Sequence, residues 1–342
     1  MLRNFFYLAL AGVCATARAA APAGPPPAAS PAASSSSAPA PAPASPSAAT
    51  SGLIRVEGSD LLETAIGEPL SRYAKQFHLN VFVDMFGSPP ALDDLKSGKA
   101  QLGIVAVPVG ENPAPDGFKA IPFCFAADYI IVNSTNPLTA LTLRDLGGVF
   151  GSTGEDIMYW NQLKLSGDWI TRPVTVYSTS PDDGDVVELL QFFALDRKSL
   201  RPNVHVLNTP EEVVKAVANS PDAIGLIGYD PGPKSNVKVL LISPDNTATA
   251  NKPAATPTPE NILSGDYPLR LPFYLVYKPA DLANIKRLLS LLLAPSAAPA
   301  TPTLFGDTVN PPDIVKSLRD QHFIPLPETN RQRALLELDS AP

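Results

Sequence analysis

The chain has 342 residues, 45% hydrophobic and 17% charged, with a net charge of −7. That length allows about two domains with a true core, and the acidic balance argues against a nucleic-acid partner, because no basic stripe exists to displace counterions from phosphates. The 39 prolines stand far above the roughly 5% of average usage, and they are unevenly placed.

The N-terminus reads as an export signal over residues 1–19. Arg3 gives the positive start, residues 5–15 the apolar run, and Ala17-Arg18-Ala19 the small residues for cleavage. The run is too short to span a bilayer, which takes about 20 apolar residues. Cys14 is a candidate for lipid attachment, but Ala11-Gly12-Val13-Cys14 lacks the leucine and the small penultimate residue of a lipobox. Soluble export to the periplasm is therefore the reading. Residues 20–52 are uncharged and rich in Ala, Pro and Ser, so they are expected to form a disordered tether, which would lead to a membrane anchor if one exists. Cys124 is the only cysteine beyond the signal, and its neighbours Pro122, Phe123 and Phe125 mark it as a small buried hydrophobe.

Short strands and helices then alternate. Residues 53–57 are strand-like, and Leu61, Leu62, Ala65 and Ile66 start a helical stripe continued by Leu70, Tyr73, Ala74 and Phe77. Strands are expected at 79–86, 102–107, 129–132, 174–177, 223–229, 237–242 and 273–277. Helices are expected at 91–97, 186–194 and 281–293, and Thr142 starts one that carries Leu143, Leu146, Val149 and Phe150. Thr209-Pro210-Glu211-Glu212 combines an N-cap threonine, a proline at the first helical position and a capping-box glutamate. Residues 248–259 read as a surface loop, and 294–302 break the C-terminal helical region. The alternation predicts an α/β fold with largely parallel sheets.

Three segments sit where a strand hands over to a helix: Val56-Glu57-Gly58-Ser59-Asp60, Phe86-Gly87-Ser88-Pro89-Pro90, and residues 177–185 (YSTSPDDGD). Longer stretches accompany them. These are LTLRDLGGVFGSTGEDIMYWNQL at 141–163, Ala223-Ile224-Gly225-Leu226-Ile227-Gly228-Tyr229, Tyr267-Pro268-Leu269, and His322-Phe323-Ile324-Pro325-Leu326-Pro327. In order and spacing the set resembles the phosphate-binding proteins of Pst-type ABC transporters. Its members carry an L-T…I-F-x-G…W-x-x-L stretch, an A-I-G-Y strand, a Y-P-L return and a closing G-Y-x-P-L segment. The resemblance covers roughly residues 54–327. It implies a two-lobed type II periplasmic-binding-protein fold with a ligand cleft between the lobes, lobe 1 being 53–126 plus 270–342 and lobe 2 being 127–269. It also implies a non-enzymatic solute-binding role without a cofactor, and an ABC-transporter permease or other envelope protein as partner.

The chemistry of the three segments departs from that family. There, helix N-termini, hydroxyls, an arginine and an aspartate hold the anion, which requires free N–H groups and positive charge. Gly58-Ser59 is retained, but Asp60 follows. Gly87-Ser88 is retained, but Pro89 and Pro90 replace glycines and delete two donors from the first helical turn. Ser178 falls near the arginine, Asp183-Gly184-Asp185 falls on Ser-Gly-Thr, and Ala106 falls on the aspartate. None of the three segments contains Lys or Arg. The candidate ligand residues are thus Gly58, Ser59, Asp60, Gly87, Ser88, Ser178, Asp183, Gly184 and Asp185. The aspartates have two readings, as ordinary helix-start residues favoured by the helix dipole or as the lining of a cleft for a small polar or cationic ligand. Tight phosphate binding is disfavoured on either reading. The alternative function is an envelope accessory protein that kept the scaffold and lost the pocket. His78, His205 and His322 are isolated, and no metal or nucleophile motif occurs.

Overall fold

The computed structural model describes residues 52–152, 154–180, 186–244, 253–294, 301–302, 308–309 and 311–340. The signal, the tether up to residue 51, and Asp183, Gly184 and Asp185 lie outside the described residues.

In chain order the first elements are β1 (Ile54–Gly58), α1 (Glu68–Gln76), β2 (Val81–Asp84), α2 (Ser88–Ser97), β3 (Leu102–Ala106) and β4 (Lys119–Ala127). A 3-10 turn (Asp60–Leu62) and a π-helical turn (Glu63–Gly67) link β1 to α1. Next come β5 (Tyr129–Asn133), β6 (Ala140–Thr142), α3 (Leu143–Phe150), β7 (Thr175–Thr179), α4 (Val186–Phe193), β8 (His205–Leu207), α5 (Pro210–Ala218) and β9 (Ala223–Ile227). The chain continues through β10 (Val237–Val239), β11 (Leu241–Ser243), α6 (Pro259–Ser264), β12 (Arg270–Tyr277) and α7 (Leu282–Leu293). It ends with β13 (Thr301–Pro302), β14 (Thr308–Val309), α8 (Ile314–Asp320), β15 (Ile324–Pro325) and α9 (Glu328–Ser340).

Two main sheets form. One has the order β15-β4-β12-β3-β1-β2 and the other β10-β5-β9-β7-β8. The expectation of largely parallel sheets needs correction. β1, β2 and β3 pair in parallel, as do β7, β8 and β9, but β12 runs antiparallel to β3 and β4, and β5 antiparallel to β9 and β10. The physical cause is the pair of crossings between the sheets. β4 leads directly into β5, and β12 returns from the second sheet to the first, so each crossing strand enters against the direction of its parallel neighbours. The crossings are pinned to each other: the Asp128 N–H donates to the Leu269 carbonyl (3.1 Å), and the buried Tyr267 hydroxyl donates to the Asp128 carbonyl (2.6 Å).

The expected strand at 237–242 is two strands in different sheets. The Leu240 N–H bonds the Ile130 carbonyl (2.8 Å), after which β11 pairs with β6. Within the expected loop 248–259, Ala255 exchanges both backbone bonds with Ile242 (2.9 and 3.0 Å), and Pro259 opens α6. The expected helix starts at Thr142 and Thr209 form with full capping boxes, through Asp145 and Glu212. α9 was not expected, because charged and polar residues fill all but a few of its positions; it buries Arg331, Ala334 and Leu338.

One apolar core surrounds the second sheet, with Ile130, Phe150, Trp160, Leu190, Ile224 and Tyr267 at its centre. Another lies on one face of the first sheet, with Leu62, Leu70, Ile104, Phe123, Phe273 and Leu289. A smaller one under α2 joins Ala91, Leu95 and Val105. Cys124 is fully buried, and burial pushes its thiol pKa well up.

Candidate functional site

The first two candidate loops meet at the C-terminal end of β3. Gly58 ends β1, pairs with Ile104, and accepts the Gly87 N–H at its carbonyl (2.9 Å). The Ser59 N–H donates to the Ile104 carbonyl (2.8 Å), and the Ser59 side chain is buried without capping the turn that begins at Asp60. Gly87, at φ 129°, is the N-cap of α2 in a conformation favouring glycine. Ser88 is already helical and buried. Its hydroxyl oxygen accepts from the Ala106 N–H at 2.8 Å and so ties α2 to the end of β3. The helix thus starts at Ser88, ahead of the expected 91–97, and the tie to Ala106 is a tertiary contact that no local pattern shows.

The backbone donors of this helix start are largely committed. The Gly87 N–H bonds Gly58, the Ala91 N–H bonds Gly87 (3.3 Å), and Pro89 and Pro90 have none. At most the Ser88 N–H is left to face a ligand.

In the third segment Ser178 lies within β7, paired with Val206 of β8, and is fully buried. Its hydroxyl has no hydrogen-bond partner among the described residues. The helix that follows, α4, reaches the apolar core of the first sheet. Leu189 belongs to the apolar cluster containing Val56, Leu62 and Ala106, and Phe193 packs against both large clusters.

Carboxylates dominate the charge near the first two loops. Glu57 is 1% exposed, with Arg55 at 3.5 Å. Burial first, and the charge of Asp94 second, push its pKa up despite Arg55. Burial raises Glu63 too, helped by Glu68 and Asp84. A carboxyl whose pKa is raised on folding is less costly to the fold when neutral than when charged. Its contribution is therefore complete below the ordinary carboxylate pKa and is lost as pH rises through the raised value. Glu57→Gln should accordingly melt higher than the parent protein at pH 7.5, with the gain vanishing near pH 4. A variant that melts lower at pH 7.5 would show that the ion pair with Arg55 outweighs the burial of Glu57.

Sequence reasoning missed three features here: the burial of Glu57, the reach of Leu189, and a ring stack between Tyr229 and His322, whose centroids are 4.5 Å apart. For His322 a signal existed, since it stands at the glycine of the closing G-Y-x-P-L pattern and takes φ 65°. Among the described residues no group of three or more His, Cys, Asp or Glu is placed to hold a metal, and no helix is long and apolar enough to cross a membrane. A groove of about 380 Å³ lies elsewhere, lined by Phe118, Tyr277 and Leu338.

The sequence matches the family described as PBP superfamily domain over residues 43–293. The chain belongs to the PBP superfamily. It is 27% identical over 311 residues to the phosphate-binding protein PstS of Pseudomonas aeruginosa, covering 85% of this chain and 88% of that one. Among solved structures it resembles a possible phosphate binding protein from Planctomyces limnophilus (TM-score 0.61, 16% identity, 85% of this chain and 98% of that one). It also resembles an ABC-type phosphate transport receptor from Vibrio cholerae (TM-score 0.54, 20% identity, 79% and 99%). The resemblance to Pst-type phosphate-binding proteins thus rests on the length of the folded chain, and the fold is that of two-lobed periplasmic binding proteins.

Proposed function

We propose that this protein is a periplasmic solute-binding protein of the Pst type whose cleft does not hold phosphate tightly. It is not an enzyme. It closes its lobes around a small polar ligand and presents it to an ABC-transporter permease or another envelope protein. The observation that carries this reading is the first turn of α2. A helix N-terminus binds anions through free N–H groups, and here two prolines and two committed amides leave at most one. Supporting it, none of the three segments has a Lys or Arg, and Ser178 is fully buried. The lobes are proposed as 53–126 with 270–342, and 127–269. The ligand-facing residues are proposed as Gly58, Ser59, Asp60, Gly87 and the backbone of Ser88, together with Asp183, Gly184 and Asp185 of the third segment.

Calorimetry of the exported chain with inorganic phosphate at physiological salt tests the reading. No micromolar binding is expected, and a micromolar or tighter constant would overturn it. Replacing Pro89 and Pro90 by glycine, Asp183 by serine and Asp185 by threonine should improve phosphate affinity. Arginine at position 178 is left out of that set, because a guanidinium there would be buried without a counter-charge.

A second reading, the envelope accessory protein without a small ligand, is favoured by one observation. Leu189 and Phe193 place apolar contact between the lobes. Thermal-shift titration with cations, sugars and amino acids separates the two, since a ligand well above its dissociation constant raises the melting point.

A further inference from the structure

We infer that His322 and Tyr229 form an aromatic latch between the two lobes, which sets how often the closed arrangement is populated. Tyr229 lies two residues beyond β9 of the second sheet, and His322 two residues beyond α8, beside the first sheet. Their rings stack at a 4.5 Å centroid distance and an interplanar angle of 21°.

Both partners are held from behind. The His322 N–H bonds the Arg319 carbonyl (3.0 Å) and the Phe323 N–H bonds the Leu318 carbonyl (2.9 Å), closing the end of α8. Phe323 then packs edge-on against Phe273 (5.6 Å) in the core of the first lobe. On the other side Gly228 leaves room for Val186 of α4: an added Cβ would come within 2.7 Å of its side chain. Burial first, then the charge of Glu211 at the start of α5 and a hydrogen bond to it, pushes the Tyr229 hydroxyl pKa up to about 12.

His322 takes φ 65°, at a helix C-terminus where glycine is the usual occupant. Histidine is one of the non-glycine residues that enter this region, and here its exposed side chain stacks on Tyr229. An opening that moves the end of β9 away from the end of α8 would separate the two rings. The contact of Leu189 with the first lobe's core would act on the same closed arrangement.

Distance measurement between spin labels on the exported chain tests the latch, with Lys75→Cys in α1 and Lys215→Cys in α5 as exposed attachment points. The parent should give one narrow distance. His322→Gly, which suits the backbone conformation, and Tyr229→Leu should each raise a second, different distance by roughly three- to tenfold in population, the range that one aromatic pair can set. Combining them should add nothing further, because both remove one interaction. Tyr229→Phe keeps the ring and should retain the parent distance. Unchanged distances in a folded His322→Gly protein would overturn the latch. An opening by Tyr229→Phe as large as that by Tyr229→Leu would overturn the stack as its cause.

Discussion

Gly58→Ala should lower stability by about 3 kcal/mol or more, the upper end for overpacking a tight site. A Cβ at this position would sit 2.4 Å from the Ile104 carbonyl oxygen and 2.8 Å from Met85 Sδ. The sulfur is on a flexible side chain and can move, but the carbonyl is backbone in a central strand. β3 is paired on both sides, by β1 and β12, and every one of its residues is buried. The strain must therefore move β1, and the same Ile104 carbonyl is the acceptor for the Ser59 N–H. At roughly 2–4 °C per kcal/mol for a chain somewhat smaller than this one, the melting point should fall by about 6 °C or more. A fall of under about 2 °C on that scale would mean that β1 and β3 can separate without loss. The requirement for glycine at the first loop would then come from something other than packing.

The elements that could be read from sequence are those whose cause is local. Thr142 with Asp145, and Thr209 with Glu212, announce their helices through a hydroxyl and a carboxylate three residues apart. The buried strands at Leu102–Ala106 and Ala223–Ile227 are continuous apolar runs, as expected of strands covered on both faces. What could not be read has non-local causes. β4 begins with Lys119 exposed, contains Pro122 and follows a polar loop; it becomes a strand because β12 and β15 pair with it across more than 140 residues. The break at Leu240 exists because Ile130 offers an acceptor there, and no feature between Val237 and Ile242 marks it.

The candidate site divides in the same way. The Gly-Ser pairs at 58–59 and 87–88 could be located, and the structure brings them together at the end of β3. The deletion of donors by Pro89 and Pro90 also follows from residue type alone. The direction of a side chain does not. Ser178 and Ser88 are both hydroxyls at strand–helix junctions, yet one is sealed beside β8 and the other spends its oxygen on a neighbouring strand. Glu57 looks like a loop carboxylate in sequence, but strand alternation turns it away from Val56 and toward Asp94 and α2.

Ser88→Ala separates a structural role for this serine from a ligand-binding one. In the structure the Ser88 oxygen is the acceptor for the Ala106 N–H at 2.8 Å, and Ala106 is buried. Removing the oxygen leaves a buried amide without an acceptor, at a cost of about 1–3 kcal/mol. No ligand is needed for that loss to appear. Denaturant unfolding of the exported chain should show it as a lower midpoint with an unchanged slope, because the surface exposed on unfolding is the same. Phosphate heats in calorimetry should not change, since the parent is expected to give none in the micromolar range. The opposite pattern would be intact stability with a ligand response that disappears. That result would mean Ala106 finds another acceptor and the Ser88 hydroxyl faces the cleft. It would return this loop to the anion-holding role from which its two prolines remove it, and the proposal of a cleft without tight phosphate binding would fall with it.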